Sequence, residues 1–190
     1  MNTFIPFLES FKNEYNYYPK YPVADSGYGS FNNYKYLKLN NIELYQKYNM
    51  YEKDTKDKKY LNNEYRPHNL IKLEDKVFQT KSGETLDYMY TDKFNKDHYY
   101  SKQQDKKITV HEENLAYQKE AIKNLQSDLG IELRVQRSIQ VEGAFWVIKQ
   151  NYGVRRFRRK GLLKVELEIT LTAIGYNLLK YHNKRYRIVH

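Results

Sequence analysis

The chain has 190 residues, a net charge of +10 and no cysteine. That length suffices for one domain with a core, or a core plus an insertion. The missing cysteines exclude disulfides and thiolate metal sites, which fits a reducing, cytoplasmic setting. No stretch is apolar enough to span a bilayer, so no membrane role is expected.

In chain order, Asn2–Tyr15 reads as an amphipathic helix, with Phe4, Ile5, Leu8 and Phe11 on one stripe. It has neither the basic start nor the long apolar run of a signal peptide. Pro19 and Pro22 close a loop, and Tyr21–Ala24 reads as a short strand ending at Asp25. Gly27 and Gly29 are expected to permit a tight turn. Ser30 is placed to cap a helix over Phe31–Leu39. Ile42–Tyr48 alternates and predicts a second strand. Strand, turn, helix and strand in succession predict an α/β fold.

Residues 49–112 are rich in Lys, Asp, Asn and Tyr and weakly periodic. They read as a polar insertion, partly irregular and partly mobile. Within it, Thr80–Leu86 carries a Ser-Gly hairpin turn. Helical patterning returns at Glu112–Leu129, is broken at Gly130, and resumes over Ile131–Gln150. This last helix is apolar nearly all round, which predicts burial. Val135, Ile139, Glu142, Trp146 and Lys149 share one face. A buried carboxylate at Glu142 would need a metal, a cation or a route to water, since lone buried charges cost several kcal/mol. A salt bridge to Lys149 or a nearby Arg is the simpler structural alternative. Gly153–Gly161 is a basic turn with Arg155, Arg156, Arg158, Arg159 and Lys160 around Phe157, and Leu162–Tyr181 predicts a long apolar helix.

The charge is unevenly placed. Residues 131–190 hold 13 Lys+Arg against 4 Asp+Glu, and eight of the nine arginines follow residue 130. Arginine suits phosphate because its planar fork donates two parallel hydrogen bonds. A polyanion partner, most simply DNA, is therefore expected, with plain solubility charge as the alternative. The 21 tyrosines fit half-buried positions better than base stacking.

Two phrases carry more. VADSGYGSFNNYKYL, followed by IQVEGAFWVIKQNYGVRRFRRKGL and AIGYNLLKYHNK, resembles the C-terminal half of bacterial insertion-sequence transposases of the DDE type. The resemblance covers roughly residues 1–48 and 113–190. It implies an incomplete ribonuclease-H-like core, with 1–48 carrying the second acid, a polar insertion over 49–112, and a helical part over 113–190 carrying the third acid and the basic turn. It implies that Asp25 is the second catalytic acid and Glu142 the third, both metal ligands. Lys149 is implied to contact DNA near the active site, with Arg137 in the place of the family's upstream arginine. The family's chemistry is DNA strand cleavage and transfer with Mg2+ or Mn2+. The family's first acid lies on an early strand, but only 24 residues precede Asp25 here, and Glu9 and Glu14 fall on the predicted helix. The expectation is a truncated or split transposase, inactive alone because the first catalytic Asp is missing and two carboxylates hold Mg2+, which needs a near-octahedral site, only weakly. The alternative is a non-catalytic DNA-binding or transposase-interacting module. Possible partners are DNA, a full-length transposase, an upstream-encoded N-terminal part, and further copies of the chain.

Overall fold

The structure, a computed structural model, describes residues 3–186. It is mixed α/β and divides into two compact units, residues 1–133 and 134–190.

The first unit begins with α1, Phe4–Tyr15, whose predicted stripe buries Phe4 and Leu8. Asn2, the expected first residue of that helix, lies outside the described residues. The helix α2, Phe31–Leu39, starts as expected: the Ser30 hydroxyl accepts from the Asn33 backbone N–H at 3.4 Å. Glu9 ties the two helices together, accepting from Tyr18 Oη at 3.1 Å and from the Tyr36 hydroxyl. The Tyr36 hydrogen bond holds the Glu9 carboxyl below the usual range.

The two expected strands are reduced to one parallel bridge between Ala24 and Gln46. The apolar alternation of Ile42–Tyr48 instead serves the core. Ile42, Leu44, Tyr45 and Tyr48 are buried with Tyr34, Leu37, Ala121 and Leu125. Gln46 is buried at the centre of this segment: its side-chain amide donates to the Pro22 carbonyl, and its own carbonyl accepts from Tyr34 Oη at 2.7 Å. Short polar bridges of this kind satisfy backbone groups that a full ladder would otherwise pair.

Residues 49–112 are more regular than their composition predicts. Helices α3 (Tyr51–Lys56) and α4 (Lys58–Leu61) and a 3-10 turn at Pro67–Asn69 lead into five strands. β1 (Ile71–Glu74) and β2 (Val77–Gln79) form an antiparallel hairpin, and β3 (Asp87–Thr91), β4 (Asp97–Ser101) and β5 (Lys106–Val110) form a three-stranded antiparallel meander. The predicted turn is present: Gly83 has a φ of 95° and donates its N–H to the Thr80 carbonyl at 3.1 Å. Period-2 alternation in β4 and β5 places Tyr99, Ile108 and Val110 inward, where they join Leu70, Phe78 and Leu86 in a second apolar cluster. A few large side chains at alternate positions suffice here, which is why average polarity misjudged the segment. Polar side chains complete it. Glu84 accepts from Ser101 Oγ at 2.8 Å, Tyr65 Oη at 2.9 Å and the Gln103 N–H at 3.1 Å.

Helix α5, Glu112–Gln126, supplies both clusters: Leu115 to the second, Ala121 and Leu125 to the first. The next helix, α6, runs over Asp128–Gln150. The break falls at Ser127, not at Gly130. Ser127 is extended, and its Oγ accepts from the Gly130 N–H at 3.1 Å. Gly130 is required for another reason: a Cβ there would sit 2.0 Å from the Asn124 carbonyl oxygen.

The second unit holds the rest of α6, an irregular loop, and α7, Leu162–Tyr186. Phe145 and Ile148 on α6 face Ile169, Thr172 and Ala173 on α7 across a cavity of about 450 Å³. Among its described residues none is fully buried. The expectation of a buried helix over Ile131–Gln150 is therefore not met. Ile139, Phe145 and Trp146 are all more than half exposed. Hydropathy around a helix reports what it is able to bury, not what covers it.

Candidate nucleic-acid interface and carboxylates

Asp25 ends the segment that bridges to Gln46, on an exposed turn. Its Oδ1 accepts from the Gly27 N–H at 3.0 Å, and its backbone carbonyl accepts from the Tyr28 N–H at 3.1 Å. The turn is held close to the core by Gly29, where a Cβ would meet the Lys47 carbonyl oxygen at 2.1 Å and Tyr48 Cα at 2.7 Å. Neither Gly27 nor Gly29 is among the positive-φ glycines, so close approach, not backbone hand, demands glycine at Gly29.

Glu142 lies in the second unit, exposed on α6 between Ile139 and Trp146. Its exposed carboxylate bears no burial cost and so does not require a cation. Lys149 follows two turns later, about 10 Å along the axis. Its Nζ lies 5.9 Å from the Phe145 ring centroid, and its side chain lines the 450 Å³ cavity with Arg155 and Arg156. Arg137 is half-buried on the same helix.

The basic turn is an exposed loop from Arg155 to Lys160. Left-handed glycines bound it, Gly153 at φ 66° and Gly161 at φ 92°. Its anchor is Glu168 of α7, which accepts the Arg158 and Arg159 backbone N–H groups, each at 3.2 Å. The Tyr152 hydroxyl, donating to the Gly175 carbonyl at 3.3 Å, ties the loop's start to the same helix. The anchoring role of Glu168 was not readable beforehand. In the sequence it is only a charge interrupting an apolar helix, and its partners are backbone amides about ten positions away.

Among the described residues no group of three or more His, Asp or Glu side chains is arranged to hold a metal ion. Asp25 lies in the first unit and Glu142 in the second. Among the described residues no helix is long and apolar enough to cross a membrane.

A family model described as a transposase DDE domain matches residues 90–182. The chain is similar to DDE transposases. The match spans just under half of the 190 residues, from the end of β3 through most of α7. It contains Arg137, Glu142, Lys149 and the whole basic loop, and Asp25 lies outside it. No match was found among curated proteins, and none among solved structures.

Proposed function

We propose that this chain is part of a DDE transposase that engages DNA through the 155–160 loop and does not cleave DNA by itself. The observation that carries the reading is the coincidence of the family match with the loop. Five exposed cations on six consecutive residues fall inside the matched span, with the loop backbone pinned to Glu168. Pinning through main-chain N–H groups leaves the guanidinium groups available for phosphate oxygens. An irregular loop without a groove-reading helix positions a protein on DNA without selecting sequence.

In this reading Asp25 is the second acid and Glu142 the third of a ribonuclease-H-like site for Mg2+ or Mn2+. Such ions activate the attacking oxygen and stabilise the leaving one. The chain contributes two carboxylates to that chemistry where the family uses three, which is the basis for proposing inactivity alone. The same count is compatible with a DNA-binding module that works beside a complete transposase.

The test is duplex binding by fluorescence anisotropy across a salt series, with nicking of supercoiled plasmid in Mg2+ measured in parallel. Changing Arg155, Arg156, Arg158 and Arg159 together to Ala should lower the log–log salt slope by about 3, while Asp25→Asn leaves it unchanged. An unaltered slope in the quadruple variant rejects the loop as the interface. Nicking by the unmodified chain that Glu142→Gln abolishes rejects the proposed inactivity, while leaving the interface standing.

A further inference from the structure

The second unit carries more positive charge than its loop accounts for. From Gly143 to the end of the chain, eleven Lys and Arg stand against two acids, Glu166 and Glu168. In the first unit Lys35, Lys38, Lys47, Lys56, Lys72 and Lys102 each lie within 3.7 Å of a carboxylate. Among the described residues Lys180 and Lys184 of α7 form no such ion pair. Both line a cavity of about 550 Å³ between α6 and α7, together with Asn151, Tyr176 and Asn183. Val147 and Leu179 form its apolar wall, and among the described residues no Asp or Glu lines it. Lys180 Nζ stands 5.9 Å from the Tyr176 ring centroid. The end of α6 that borders the cavity carries the partial negative charge of a helix C-terminus, which opposes an anion. That charge is blunted. The Val147 carbonyl accepts from the Asn151 and Tyr152 N–H groups at 2.9 and 3.2 Å, and the Ile148 carbonyl from the Val154 N–H at 3.2 Å. Two ammonium groups, two carboxamides and a phenol hydroxyl without an acid are donors suited to phosphate oxygens.

We infer that this cavity is a second phosphate-backbone site for duplex DNA, in line with the cations of the loop. Ile169, Thr172, Tyr176, Leu179 and Asn183 follow one another on α7 at spacings of three, four, three and four residues. One face of the helix therefore serves both this cavity and the one lined by Lys149, Arg155 and Arg156. Between the two, the Tyr152 hydroxyl donates to the Gly175 carbonyl at 3.3 Å and ties the end of α6 to α7. Thr172 and Asn183 are about 16 Å apart along the helix axis. One DNA strand carries a phosphate about every 3.4 Å of its axis, so a strand lying along this face brings about five phosphates past the two clusters. Lysine meets phosphate as a point charge, which adds affinity without reading bases. The inference rests on the second unit contacting DNA, and it extends that contact from the loop to the far half of α7.

The anisotropy salt series on the full chain tests it. Lys180→Ala with Lys184→Ala should lower the log–log slope by about 2, with unchanged helical circular dichroism. Lys180→Arg with Lys184→Arg should keep the slope, because the charge remains. Lys58→Ala with Lys59→Ala, two exposed lysines of the first unit, should move the slope by less than about 0.5. An unchanged slope in the Lys180 and Lys184 alanine pair overturns the inference. So does an equal fall in the Lys58 and Lys59 pair, a fall in the arginine pair, or no duplex binding by the unmodified chain. The loop is scored separately. A slope lowered by the Lys180 and Lys184 alanine pair but not by the four-arginine variant rejects the loop and keeps this site, and the reverse result rejects this site and keeps the loop.

Discussion

The two units use their apolar residues in different ways. Residues 1–133 gather theirs into two clusters, with Leu8, Tyr34, Leu37, Leu44, Tyr99, Val110 and Leu125 essentially inaccessible. In residues 134–186 no side chain is fully buried, and Leu162, Leu163, Ile139 and Leu178 lie more than three-fifths exposed. The first unit is the more polar in sequence and the better packed in structure. Burial depends on where apolar residues recur relative to the element's period and on whether another element lies opposite. A large exposed apolar surface on a folded chain marks an interaction site.

The largest expected contrast uses one substitution, Gly→Ala, in both units. At Gly29 and Gly130 the new Cβ would lie 2.1 Å and 2.0 Å from a backbone carbonyl oxygen. Main chain gives way poorly, so each variant should lose about 3 kcal/mol or more in urea unfolding, or fail to fold. At Gly143 and Gly175 nothing lies within 4 Å, and both sit inside helices. There Ala should be neutral or stabilising by up to about 1 kcal/mol. Equal effects at the four sites would break the comparison.

Leucine truncation gives the next contrast. Leu37→Ala removes a fully buried side chain and should cost about 2–5 kcal/mol. Leu171→Ala should change the stability of the isolated chain by less than about 0.5 kcal/mol.

Polar groups in the first unit's core provide a smaller effect. Tyr34→Phe removes the 2.7 Å hydrogen bond to the Gln46 carbonyl and leaves that acceptor buried, for a loss of about 1–3 kcal/mol. Burial pushes the Tyr34 hydroxyl well above the usual phenol range, so it remains a donor throughout the working pH range.

The smallest expected effect is a pH dependence confined to the first unit. His68 stacks on Tyr48 with ring centroids 5.7 Å apart. Burial lowers its pKa below 6.5 despite the opposing pull of Asp54. A histidine whose folded pKa is depressed stabilises the fold fully above the unfolded value. That contribution is lost as pH falls through 6.5 towards the folded value. The melting temperature should therefore drop between pH 7.5 and 5, and His68→Gln should flatten that part of the profile. A rise on acidification would mean that His68 is charged in the fold and paired with Asp54.

Local patterns spoke plainly where one residue's chemistry settles one feature. The apolar stripe of α1, the Ser30 cap and the Gly83 turn all follow from neighbours within four positions, and all were legible in the sequence. So was the concentration of arginine after residue 130, which places the candidate interface. The alternation over Ile42–Tyr48 was legible as burial but not as a strand, because a strand needs a partner and only Ala24 provides one bridge. Three matters were left to the tertiary structure. The fold of residues 49–112 depends on a few inward side chains that average polarity hides. The need for glycine at Gly29 and Gly130 arises from chain segments 18 and 6 residues away, at Lys47 and Asn124. The exposure of Glu142 and of Leu163 and Leu178 on α7 depends on what covers a helix. A helix's own sequence states its capacity to bury surface, and only its neighbours determine whether that capacity is used.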